Sequence, residues 1–353
     1  MKKIFQVSLI LSALLMLSVG CAQDYMETAP ESSTSPATIF STTENAVLAV
    51  NGICKMMTTQ YFSVQGLNGE GSIKTWFGNF GNDLQRCNHT GWAPLWNHQY
   101  NENASSTYCT YPWYYYYKII GNANAVLANI DNADGPQSER DFIKAQALVY
   151  RAYSYSQLVL FYCHRWSDGT VTGDGIPLRL DTSTGDLAKT SLAGVYSQIY
   201  TDLDDAITLF NGSGLTRGND ENYLPDVDVA YAVYARAALN REDWANAGKY
   251  AALARQNHAL MSAKEYESGF NTVNSDWIWS VYEASDQTLY YYSYFAYIGS
   301  NASSSICRSY PFSISKELLD QLQNDTATME KIAREQYMMK RDDEVIYLIE
   351  TQK

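Results

Sequence analysis

From Pro112 to about His258 the apolar residues return every three or four positions, and no other feature restricts the fold of this chain as much. Pro112 suits the first turn of a helix, and Trp113, Tyr116, Ile120, Ala123, Leu127 and Ile130 mark its face. Asp131 to Pro136 end that segment. Ser138 with Asp141 begins the next, faced by Ile143, Ala147, Tyr150, Ser154 and Leu158. Gly and Asp around 168–175 interrupt, and a further helix is expected over about 191–210, carrying Val195, Ile199, Leu203, Ala206 and Leu209. Two more follow at about 226–240 and 242–259, with Arg241-Glu242-Asp243 as the turn between them. Ala230, Ala235, Ala237, Ala245, Ala247, Ala251, Ala252 and Ala254 would let these last helices approach closely. Antiparallel pairs with alanine seams look like tetratricopeptide hairpins, and an irregular bundle meets the same pattern. Upstream, Ser41 stands three before Glu44, a capping-box spacing that opens an apolar run from Ala46 to Met57. Few segments read as strands, and Trp277–Tyr282 is the best candidate. The fold class is mainly α: helical hairpins over 138–260 carrying long inserted loops.

The longest loop is expected over 61–111, where helical periodicity gives way to Gly, Asn and Trp. It carries Trp76, Phe77, Asn79, Asp83, Arg86, Trp92, Trp96, Asn97, Tyr100 and Asn101. Sugar rings offer flat C–H faces that stack on indole and phenol, while their hydroxyls need Asn, Asp and Arg partners. Loops on a rigid scaffold are where such groups are displayed. Arg86, Trp96 and Asn101 are the preferred ligand-binding residues, with Trp92 and Trp76 beside them. The chain has 29 Tyr, 11 Phe and 8 Trp, yet abundance alone does not separate core from ligand-facing aromatics. The tyrosines at 114–117 and 150–155 lie at helical spacing and are assigned to the core.

Lys2 and Lys3 precede an apolar run from Ile4 to Val19 that is too short to span a membrane and reads as a secretory signal. Leu17-Ser18-Val19-Gly20-Cys21 resembles a lipobox, with Ser18 where leucine is commonest, so residues 1–20 are a signal and Cys21 is acylated. Residues 21–40, rich in Ser, Thr and Pro, form a lipidated tether ahead of the domain over 41–353. A net charge of -13 and a pI near 4.7 argue against nucleic acid and against electrostatic attachment to anionic lipid. Cys54, Cys87, Cys109, Cys163 and Cys307 form no C-x-x-C pair and are odd in number, which excludes a fully disulfide-stapled scaffold; one bridge such as Cys87–Cys109 is compatible with export.

There is no H-E-x-x-H, no G-x-S-x-G and no phosphate-cradling Gly-Lys-Ser/Thr loop. His89, His98 and Asp83 share a loop without ligand-like spacing and read as polar loop residues. Cys163 and His164 are neighbours that point apart if helical. Asp202, Asp204 and Asp205 read as a solvated helix face and not as paired carboxylates. No cofactor and no metal are expected.

Taken in order, several blocks resemble the SusD/RagB family of Bacteroidetes outer-membrane lipoproteins. They are Asp24-Tyr25-Met26-Glu27 with Pro30, Phe40 to Ala46 with Asn51-Gly52, and Tyr117-Lys118-Ile119-Ile120 with Asn124 and Leu127. Ala145 to Tyr153, Ile176-Pro177-Leu178, Val195 to Ile199 and Asp202-Leu203 follow, then the helix pair at 229–255 with Asp243-Trp244, and Ser315 to Leu318. The resemblance implies a tetratricopeptide-like α-α superhelix that binds a glycan without catalysis. It implies a SusC-like TonB-dependent transporter as partner and a lipid-anchored, surface-exposed place in the outer membrane. Some relatives bind peptide, which keeps a peptide-capture protein as the alternative, with a glycoside hydrolase behind it. The family places further binding residues after the second hairpin, corresponding here to Tyr290, Tyr291, Tyr292, Tyr294 and Tyr297, of which Tyr290 and Tyr294 are taken as site residues. Asp343 to Glu350 resembles the start of a helix that continues in the family, so residues 261–353 are expected to begin a C-terminal region that is incomplete.

Overall fold

The periodic segments form helices, and one of them is buried on almost every side. The computed structural model describes residues 36–63, 67–74, 84–86, 103–168, 172–268, 272–281, 312–314, 316, 319 and 320. Among these, helices run over Pro36–Ile39 (α1), Thr43–Met56 (α2), Gly69–Ser72 (α3), Thr107–Asn129 (α4), Gln137–Tyr162 (α5), Leu192–Ser213 (α6), Val227–Asn240 (α7), Trp244–Arg255 (α8) and Ala263–Glu267 (α9). Two short strands, Leu84–Arg86 (β1) and Phe312–Ile314 (β2), pair antiparallel with Arg86 opposite Phe312. None of the described helices is long and apolar enough to cross a membrane.

Helix α5 is the hub, packed against α4, α6, α7 and α2. Ala145 to Val159 are all buried, as expected of a helix enclosed by neighbours. Trp113 meets Tyr162 at 5.0 Å between ring centroids, and Phe142 meets Phe210 at 5.2 Å. The beginning of each helix thus lies beside the end of the next, so α4, α5 and α6 alternate in direction. The three residues between α7 and α8 force the same reversal, with Glu242 in the left-handed region at φ +61°. These are the antiparallel hairpins expected from the periodicity.

Several boundaries differ from the expectation. The cap of α2 is Thr42, which accepts from Asn45 N–H at 3.2 Å, while the Ser41 hydroxyl is spent on Thr38 O at 2.8 Å. Helix α5 begins at Gln137 without a side-chain cap, so Ser138 is already inside it. Helix α4 starts five residues before Pro112, capped by Ser106 on Cys109 N–H at 3.1 Å. Proline inside a helix removes a donor and crowds the carbonyl four residues earlier. The Tyr162 hydroxyl enters the gap, donating to Cys109 O at 2.7 Å and accepting from Trp113 N–H at 2.9 Å. It thereby bridges the i, i+4 pair Cys109 and Trp113 on either side of Pro112.

The alanine seam is narrower than expected. Ala230, Ala237 and Ala254 are buried, whereas Ala245, Ala251 and Ala252 lie on the exposed outer face of α8. Trp277–Val281 is not a strand; it is an irregular extended segment held by Ser280 N–H on Asn222 O at 2.9 Å. All five residues are half-buried, and none of them pairs with a strand among the described residues. Asp202 also departs from the solvated-face reading, being 1% exposed. Arg151 grips its carboxylate at 2.8 and 2.6 Å, Gln198 adds a bond at 2.8 Å, and Asn124 Oδ1 accepts from the same arginine at 2.9 Å. Burial pushes the Asp202 carboxyl up from its ordinary value, against the opposing pull of Arg151.

The tyrosine assignment was correct in the main. Tyr115, Tyr116, Tyr150 and Tyr155 are fully buried and Tyr153 nearly so, while Tyr114 is exposed. Tyr117 and Tyr155 also secure the loop after α5, donating to Pro177 O and Arg179 O at 2.7 Å.

Candidate functional site

Part of the expected loop insertion belongs to the core, and it leads to a cleft. Gly69 adopts φ +53°, and a Cβ there would lie 1.9 Å from the Met57 carbonyl oxygen. Only glycine lets the chain run this close to the end of α2. Glu70 N–H then donates to that carbonyl at 2.7 Å, which drives the Glu70 side chain inward to 5% exposure. There it accepts from Tyr115 at 3.1 Å, Tyr116 at 3.2 Å and Tyr153 at 2.5 Å, with Lys74 Nζ at 3.3 Å. Three phenols and an ammonium compensate the carboxylate for the water it has lost. Burial holds the Tyr115, Tyr116 and Tyr153 hydroxyls well above their ordinary value, and the Glu70 charge adds to it.

Lys74 continues outward, donating to Gln157 Oε1 at 3.0 Å. Gln157 lines a cavity of about 330 Å³, with Tyr153 and Ser156 of α5, Val229, Val233 and Arg236 of α7, and the segment Asp276–Trp279. That is within the size range of small-ligand sites. The outer wall is latched in place. Trp279 Nε1 donates to Tyr223 O at 3.1 Å, and its ring packs edge-on against Tyr153 at 5.0 Å and Tyr150 at 5.8 Å. Arg217 donates to Ile278 O and Leu224 O, both at 2.7 Å, and pairs with Asp226 at 2.9 Å. His258 meets Ser275 O at 3.1 Å and lies 3.4 Å from Asp228.

The residues picked from the sequence lie elsewhere. The backbone of Arg86 is in β1, and nothing of its side chain is described. Trp76, Trp92, Trp96, Asn101, Tyr290, Tyr294 and Cys21 lie outside the described residues, as do Asp83, His89 and His98. Cys163 follows the last turn of α5, and burial pushes its thiol up to about 11, while His164 is exposed; the pair lacks the electropositive setting of a thiolate nucleophile. No group of metal-ligating side chains occurs among the described residues. The sequence reading missed Gln157, Arg236, Asp276 and Trp277. The one sequence signal near them is the apolar alternation through Trp277 and Trp279, which suits a strand equally well.

Residues 24–239 match the SusD-like family profile, described as starch-binding and associating with outer membrane. The chain belongs to the SusD-like family. A SusD-like carbohydrate-binding protein from Bacteroides vulgatus ATCC 8482 shares 27% identity at a TM-score of 0.61, over 71% of this chain and 52% of that one. A sugar-binding protein described as putative from the same organism shares 18% at a TM-score of 0.67, over 82% and 63%. A SusD superfamily protein from Bacteroides thetaiotaomicron VPI-5482 shares 19% at 0.67, over 81% and 62%. The chain thus spans between 52% and 63% of the length of these structures. Among curated proteins, none matches it.

Proposed function

We propose that this protein captures oligosaccharide or polysaccharide at the outer membrane and delivers it, without catalysis, to a SusC-like TonB-dependent transporter. The observation that carries the reading is the family match over 24–239, supported by the likeness to a carbohydrate-binding relative at 27% identity. Acylated Cys21 anchors the chain and residues 22–35 give it reach, the expected tether ending earlier because Ile39 of α1 and Phe40 already pack on the helical domain. Arg86, Trp76, Trp92, Trp96, Asn101, Tyr290 and Tyr294 supply stacking faces and hydrogen bonds to the glycan, the indoles lying along sugar rings and Arg86 and Asn101 reading hydroxyls.

A glycan array probed with protein lacking residues 1–21 tests this reading. Saturable binding of at least one glycan, lost in Trp96→Ala, is the expected result. Retention by Trp96→Ala would move the site away from 76–101. Binding of peptides and no glycan would favour the peptide-capture alternative.

A further inference from the structure

We infer that the cleft between α5, α7 and Asp276–Trp279 is a subsite for one neutral pyranose ring, separate in sequence from the loop residues at 76–101 and 290–294; the inference rests on the glycan-capture reading. The first observation concerns Gln157. The residue is 5% exposed, and Lys74 occupies its side-chain carbonyl oxygen at 3.0 Å. That leaves the amide nitrogen, a donor on a cavity-lining residue, without a hydrogen-bond partner among the described residues. The second concerns the mouth. Arg236 and Asp276 both line the cavity, and among the described residues neither side chain has a hydrogen-bond or ion-pair partner.

The lining therefore offers donors from Gln157 and Arg236 and an acceptor from Asp276, with Trp277 and Trp279 as apolar walls. A ligand bearing only a carboxylate would face Asp276, and one bearing only an amine would face Arg236. A purely apolar ligand would leave all three polar groups dry. Hydroxyl groups donate and accept at once, so a ring carrying several of them on one edge, with C–H groups on its flat side, meets every demand. Tyr153 cannot supply the binding hydroxyl, since it is committed to Glu70 at 2.5 Å. Tyr153 is the fixed back wall and Trp279 part of the latched outer wall, while Trp277 offers the stacking face.

Isothermal titration with maltohexaose, laminarihexaose, cellohexaose and xylohexaose tests the assignment on protein lacking residues 1–21, with Arg236→Ala, Trp277→Ala, Trp277→Phe and Trp96→Ala as variants. Arg236 is exposed, so its variant should melt with the parent. At least one hexaose binds the parent, and Arg236→Ala and Trp277→Ala each weaken it by about tenfold or more, whereas Trp277→Phe stays within about threefold. If Trp96→Ala abolishes binding and both cleft variants keep the parent's affinity, the subsite is wrong and glycan capture stands. If none of the four hexaoses nor any array glycan binds folded parent, glycan capture fails and the subsite with it.

Discussion

The α4–α5 pair and the α7–α8 pair are both antiparallel hairpins, yet they pack by different means. Between α4, α5 and α3 the interface is built of phenols, and the hydroxyls of Tyr111, Tyr115, Tyr116 and Tyr153 all reach Gly69 or Glu70. Between α7 and α8 buried alanines allow close approach, and Tyr234 stacks on Tyr250 at 3.8 Å between centroids. The first interface depends on hydrogen-bond geometry and the second on volume. Among the described residues the tyrosines are thus largely scaffold.

High pH should act on both interfaces, because burial raises the Tyr234 phenol of the second as it does the phenols of the first. Burial holds Tyr115, Tyr116, Tyr150 and Tyr153 above the ordinary phenol value of 10.0. Below pH 10 both states keep these protons; above it only the unfolded chain releases them, so folding stability falls with rising pH. The loss is about 1.4 kcal/mol per pH unit for each phenol. Phenolate absorbance should appear together with loss of helical circular dichroism, and titration of these phenols in a still-folded chain would refute the packing.

Removing one partner of the buried ion pair comes next. Asp202→Ala should cost about 3–5 kcal/mol in urea unfolding, because it strands the Arg151 guanidinium in the core. A cost under about 1 kcal/mol would mean that water reaches Arg151. In the other hairpin, Ala237→Leu should cost about 1–3 kcal/mol by overpacking, whereas Ala251→Leu on the open face of α8 should change little. Equal effects would dissolve the seam. Tyr162→Phe should lose about 1 kcal/mol, and the loss should shrink in a Pro112→Ala background, where the helix can close its own bond. Smallest of all, Arg236→Ala should leave stability within about 0.5 kcal/mol, as befits a surface group.

The helices were legible because each buries a stripe, and a stripe is written in one segment. Val195, Ile199, Leu203 and Ala206 face inward as their spacing requires. Asp202 was misread because what buries it is Arg151, 51 residues away on another helix. Helix α4 began earlier than expected because Tyr162 repairs the backbone around Pro112, and no local pattern announces that repair. The burial of Glu70, inside the loop expected over 61–111, depends on one glycine and three tyrosines from two later helices, which no local pattern shows. The cleft was illegible for the same reason: Gln157, Arg236 and Asp276 meet only through the fold.

Affinity electrophoresis separates capture from catalysis, with protein lacking residues 1–21 run through gels containing single polysaccharides and the eluate assayed for reducing sugar. Retardation by at least one polysaccharide is expected, with no new reducing ends and helical circular dichroism intact. Unretarded migration of the folded protein in every glycan gel, or release of reducing sugar, would contradict capture without catalysis.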